Sequence, residues 1–223
     1  MSILIYQNDR IAGAAAATLI AARVIAQPSA VIGFDMTAEL RPIYQALGKM
    51  TFDGMLDWSD IKAYSLSEHV KSDAGESIRS QLDACLYSRI NLQADNIHAP
   101  DANASDWSEA CSRYESSLLQ AGGLDMAVIS IGADGSMAYN LPSGELAPVT
   151  HVERTADGRV VTLGISSLMH TRQIVACLTG TVKAAIAERV INGPVCPEIP
   201  ASYLQLHPNA VIILDEAAAS SVH

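Results

Sequence analysis

The segment Gly132–Pro142 reads GADGSMAYNLP and follows a strongly apolar run, Leu124–Ile131 (LDMAVISI). Gly132 and Gly135 bracket Asp134 just past this buried-strand pattern, where glycine permits positive φ and close ligand approach. A carboxylate held there can carry protons as a general acid or base. The same residues also fit an ordinary Asp-Gly turn. Two other strand-to-loop junctions carry reactive side chains. Gly33–Glu39 supplies Asp35, Thr37 and Glu39. Thr179–Lys183 (TGTVK) opens a helix, where backbone N–H groups and a lysine suit an anion such as phosphate. A glycine turn with a solvated Lys183 is the alternative there. Open α/β sheets bind ligands at the carboxyl ends of their strands, so all three junctions are candidates. Ser136 has no G-x-S-x-G elbow and no identified base, which argues against a serine nucleophile.

These junctions need strands and helices to position them. Strand patterns fall at Ser2–Tyr6, Ala30–Phe34, Ile61–Leu66, Leu124–Ile131, Gln173–Thr179 and Ala210–Leu214, with shorter ones at Val149–His151 and Arg159–Leu163. Helical patterns cover Ile11–Gln27, Thr37–Met50, Glu76–Tyr87, Trp107–Gln120 and the stretch from Gly180 to about Val190. Asn8 or Asp9, Thr37 and Ser105 are candidate N-caps. The Ala-rich first helix is apolar on nearly all faces and is expected to be well buried. Asn91–Asn103 reads as a surface loop. Alternating strands and helices predict a three-layer α/β/α sandwich with a mostly parallel, Rossmann-like sheet. One domain over residues 1–223 is expected, with Ala217–His223 frayed.

Composition narrows the function classes. Hydrophobic residues are 49% and charged residues 17%, which excludes a disordered chain. A net charge of −10 without a basic stripe excludes nucleic acid as a partner. It also means that an anionic ligand needs a local cationic pocket. Cys85, Cys111, Cys177 and Cys196 form no CxxC pair and no His clusters around them, so neither a metal nor another cofactor is expected. MSILIYQNDR lacks a signal peptide's basic start and long apolar run. The apolar stretch Ile11–Ala26 is shorter than a membrane span and carries Arg23. A cytoplasmic protein without a membrane partner is the expectation.

GADGSMAYNLP is similar to the G-x-D-G-H-x-A-F-N-E-P loop of the glucosamine-6-phosphate deaminase/isomerase family, which shares its fold with 6-phosphogluconolactonases. IPASYLQLHPNAVIILDE (Ile199–Glu216) resembles that family's ending. TLGISSLMHTRQIVACLTGTVKAAI (Thr162–Ile186) resembles its T-V-G-x-x-x-L…V-L-G-x-x-K-A stretch. The likeness covers nearly the whole chain and is densest after Leu124.

The resemblance implies a sugar phosphate held by a Gly-Gly-Thr loop, an Arg and a Lys. Here that loop reads Met36-Thr37-Ala38-Glu39, so both glycines are gone and a carboxylate sits near the anion pocket. Arg154, in Thr150-His151-Val152-Glu153-Arg154, and Lys183 match the anion-binding pair. The family's base, an Asp before a Glu, reads Ser67, while Glu68 is kept. Asp134 survives, the loop His is Ser136, the loop Glu is Leu141, and the family's lid is shortened. Candidate catalytic residues are therefore Asp134, Glu68 and His69, with Asp35 a further acid/base candidate. Candidate substrate-binding residues are Arg154, Lys183, Gly132, Gly135, Ser136, Thr37 and Ser67. His207, in the L-Q-L-H-P motif, reads as structural. The implied activity is that of an isomerase or deaminase acting on an amino-sugar phosphate or related sugar acid with an altered site. The alternatives are a non-catalytic sugar-phosphate binder and a lactonase-like hydrolase. The family's habit of assembling makes a homo-oligomer an expectation as well.

Overall fold

The computed structural model describes residues 1–70 and 76–222. In chain order its elements begin with β1 (Ser2–Tyr6), α1 (Asp9–Ala26), β2 (Val31–Phe34), α2 (Arg41–Phe52), β3 (Lys62–Ser65) and β4 (Ser67–His69). They continue with α3 (Ile78–Cys85), β5 (Ile97–His98), α4 (Trp107–Gln120), β6 (Met126–Ser130), β7 (His151–Thr155) and β8 (Gly158–Thr162). The last are α5 (Ile165–Met169), β9 (Ile174–Leu178), α6 (Ala184–Asn192) and β10 (Ala210–Asp215).

Seven strands form one sheet in the order β1-β10-β9-β6-β2-β3-β5, and every neighbouring pair is parallel. Parallel strands need crossover helices on both faces, so their sequences are apolar on both faces. Ile32, Phe34, Met126 and Val128 pack with Ala16, Ile20 and Tyr44 on one side. Val31, Ala127, Ile129 and Ile174 pack with Leu118, Ile186 and Val190 on the other. This is the expected α/β sandwich. A second, three-stranded antiparallel sheet runs β4-β8-β7. No helix among the described residues is long and apolar enough to cross a membrane.

Several boundaries differ from expectation for local physical reasons. Asn8 caps α1 by accepting from the Ile11 N–H. That helix buries a stripe through Ala12, Ala16, Ile20 and Val24 and leaves Ile25 exposed, so its alanines do not bury every face. Thr37 makes no capping bond; a 3₁₀ turn (Ala38–Leu40) precedes α2, and Pro42 sits in the first turn of α2. Asp106, not Ser105, caps α4. The hairpin strand expected at Val149–His151 lies at His151–Thr155, where cross-strand pairing with β8 decides the bounds. The Asn91–Asn103 loop includes the edge strand β5. In the tail, Ala218–Ser221 forms a 3₁₀ turn, and Ala218 is fully buried with its N–H donating to Asp215. His223 lies outside the described residues.

Candidate functional site

From β2 the chain works outward to β3 and β5, and from β6 it works the other way to β9 and β10. The carboxyl ends of β2 and β6 therefore flank a topological switch point, where two loops diverge and leave a crevice. A cavity of about 240 Å³ lies there, lined by Asp35, Thr37, Ser130, Gly132, Ser136, Met137, Ala138, Tyr139, Leu141 and Thr155.

Asp35 follows β2 directly and is buried. Its carboxylate accepts the Met36 N–H at 2.8 Å and the Ser130 N–H at 3.2 Å. Its pKa is raised to about 6, chiefly by burial and further by the charge of Glu39. The two N–H donors and Lys183 oppose that rise without cancelling it. Asp35 can thus hold or release a proton near neutrality. The Thr37 hydroxyl is buried on the same wall, without a partner among the described residues.

The Gly132–Pro142 loop is tied by hydrogen bonds of its own side chains. Asp134 is exposed, and its Oδ1 accepts both the Ser136 N–H at 3.0 Å and the Ser136 hydroxyl at 2.6 Å. Gly135 has φ +88°, and a Cβ there would lie 2.7 Å from Ile199 Cγ2. A Cβ on Gly132 would lie 2.3 Å from Ser136 Oγ and displace the Asp134–Ser136 pair. Ala138 and Tyr139 both adopt positive φ, 45° and 57°, which costs L-residues energy. Buried Asn140 holds them there, donating to the carbonyls of Met137, Ala138 and Leu163, and Thr162 donates to that of Ala138.

This turn aims Tyr139 into the cavity and against His69. Their rings meet edge-on at 5.6 Å, with the phenol oxygen 3.4 Å from His69 Nε2. Burial pushes the Tyr139 pKa up to about 12, so the phenol keeps its proton. Tyr139 carries a polar group into the cleft that spacing alone does not single out; its only signal is its place in the loop motif.

The other candidates stand apart from this cavity. Glu68 accepts from the N–H groups of His69, Ile78 and Arg79 and from the Ser77 hydroxyl, so its carboxylate caps the start of α3. Ser67 is fully buried, and its hydroxyl has no partner among the described residues. Arg154 is exposed at the end of the β7–β8 hairpin, on the strand face opposite Thr155. Lys183 does not face an open anion pocket. It lies 3.3 Å from Glu39 Oε2 and donates to the Ile131 carbonyl. Arg154 and Lys183 thus sit in different surroundings. His207 is buried: its Nδ1 accepts the Asn209 N–H, and Nε2 donates to the Thr171 carbonyl at 2.7 Å. All four cysteines are free thiols, and no three potential metal ligands cluster among the described residues.

Comparison with known proteins agrees with this layout. A family model described as glucosamine-6-phosphate isomerases/6-phosphogluconolactonase matches residues 15–213. The glucosamine-6-phosphate deaminase of Arthrobacter sp. (strain FB24) is 32% identical over 241 residues, covering 100% of this chain and 93% of the relative. That of Clostridioides difficile (strain 630) is 29% identical over 227 residues, covering 93% and 91%. A solved monomeric glucosamine-6-phosphate deaminase superposes with a TM-score of 0.94 at 23% identity, over 99% of this chain and 100% of its own. The 6-phosphogluconolactonase of Trypanosoma brucei gives 0.83 at 18% identity, over 100% and 98%. These two structural likenesses speak for the fold, and the sequence matches for kinship. With the family model matched across residues 15–213 and a relative 32% identical over 100% of this chain, the chain belongs to the glucosamine-6-phosphate isomerase/6-phosphogluconolactonase family.

Proposed function

We propose that the β2–β6 cleft binds an amino sugar, and that the chain is an isomerase/deaminase-like enzyme whose proton carrier is Asp35. The single observation behind this reading is a buried carboxyl on the cleft wall with its pKa raised to about 6. Aldose–ketose interconversion moves a proton between C1 and C2, and a group that titrates near working pH does this best. The protonated Tyr139 phenol, in contact with His69, supplies a donor for a sugar oxygen. Ser136, tied to Asp134, and Thr37 supply hydroxyls along the same wall. Asp134 acts on this reading by positioning Ser136 rather than by carrying the proton.

A second reading, a non-catalytic binder, is favoured by one specific feature. Glu68 is committed to capping α3, and Ser67 beside it offers no carboxylate. Turnover and thermal-shift assays on glucosamine, glucosamine 6-phosphate and 6-phosphogluconolactone separate the cases. Ammonia release that is lost in Asp35→Asn supports the enzyme. Stabilisation by a hexosamine without any turnover supports the binder. Hydrolysis of the lactone alone would move the chain to the hydrolase side of its family.

A further inference from the structure

The carboxyl end of β9 holds a complete oxyanion constellation, and the anion in it belongs to the protein. Thr179 donates its N–H (2.5 Å) and its hydroxyl (2.9 Å) to the same oxygen of Glu39. Lys183 stands 3.3 Å from the other oxygen. A backbone N–H at a helix-opening turn, a hydroxyl and an ammonium together make a site for a carboxylate or a phosphate. Both charged side chains are largely withdrawn from water, at 13% exposed for Glu39 and 14% for Lys183. The neighbouring Gly180 N–H is spent on Asp215. Lys183 also reaches the Ile131 carbonyl, one residue before Gly132, so this ion pair backs the wall of the β2–β6 cleft.

We propose that Glu39 is the resident occupant of this oxyanion site and excludes phosphate from it, so that the cleft selects an unphosphorylated amino sugar. Resting on the reading of the cleft as an amino-sugar site, the selectivity follows from two features. An incoming phosphate dianion has to expel Glu39 from all three donors, and it would stand near the Asp35 carboxylate, whose proton affinity the charge of Glu39 already raises. A sugar hydroxyl needs no such displacement, and Thr37, whose hydroxyl has no partner among the described residues, lines the same cleft. Truncating Glu39 would expose the Thr179 donors to a neighbouring cavity of about 110 Å³, which Glu39 and Thr179 already border.

The test compares wild type, Glu39→Ala and the double variant Glu39→Ala/Lys183→Ala by calorimetry and thermal shift. Inorganic phosphate, glucosamine and glucosamine 6-phosphate serve as separate probes. Inorganic phosphate is expected to leave wild type unmoved, to stabilise Glu39→Ala, and to lose that effect in the double variant. Wild type is expected to prefer glucosamine to its 6-phosphate by roughly tenfold or more in Kd, with the preference reversed in Glu39→Ala. Tight phosphate binding by wild type, or no gain in Glu39→Ala, overturns the role given to Glu39. If Glu39→Ala does not fold, Glu39→Gln replaces it, since an amide removes the charge and retains one acceptor. Binding of neither sugar to any form, alongside the phosphate gain, defeats the amino-sugar reading and leaves Glu39 as the occupant of its site.

Discussion

At the scale of single residues, Asp35 is held at a cost. Its pKa rises from 3.8 to about 6 on folding, mainly because burial disfavours its charge. An acid raised in this way binds more protons folded than unfolded between those two values. Stability therefore falls as pH rises through that window and remains lower above it, by about 3 kcal/mol at most. Asp35→Asn removes the charge but turns an amide NH₂ toward one of two backbone N–H donors. We expect a net stabilisation of about 1–2 kcal/mol above the window, vanishing below it, as read by urea midpoints at both ends. If the cleft is catalytic, the same variant loses turnover by roughly 10²–10⁴-fold. Glu68 gives the opposite signature. Its donors include the first N–H groups of α3, so Glu68→Ala is expected to destabilise by about 2–3 kcal/mol. Glu68→Gln should lose stability in the same denaturation experiment while retaining whatever turnover wild type has; a kinetic loss without a stability loss would return Glu68 to the chemistry.

At the scale of elements, the Gly132–Pro142 loop shows how a strained segment is kept in place. Two consecutive non-glycine residues, Ala138 and Tyr139, stand at positive φ because Asn140 and Thr162 bind the carbonyls around them. The strain places Tyr139 beside His69. Gly135 is needed for two reasons at once, its φ of +88° and the closeness of Ile199. Gly135→Ala is therefore expected to cost about 2–4 kcal/mol, the sum of left-handed strain and overpacking. A melting temperature unchanged from wild type would show that Ile199 and Ile186 can move aside.

At the scale of the molecule, the first and last strands form one side of the parallel sheet, with β1 at its edge. β10 lies between β1 and β9, and Asp215 at its tip ties Gly180 to Ala218. The terminal turn also packs against α6. Deleting residues from 217 onward removes the buried Ala218 and one partner of Asp215. A loss of about 2–3 kcal/mol, read as a lower midpoint in thermal or urea unfolding, is expected; a frayed tail would give none.

The parallel-sheet architecture and the positions of the main strands along the chain were legible in the sequence, but not their order in the sheet. Runs such as Met126–Ile129 are apolar at every position, as strands covered on both faces require. The motif loop was legible too, because its glycines meet local demands at Gly132 and Gly135. β4 was not: three residues, Ser-Glu-His, carry no strand period and exist as a strand only through pairing with β8. The tail turn was likewise hidden, since alanines and serines reveal nothing until a core lies beneath them. The same limit applied to the site. Sequence identifies carboxylates at strand ends, but a carboxylate's role depends on the donors that meet it. Asp35 meets too few to offset its burial, Glu68 meets the start of a helix, and Glu39 reaches 140 residues along the chain to Thr179. Local periodicity encodes the elements; partners that distant in sequence are brought together only by the packed sheet.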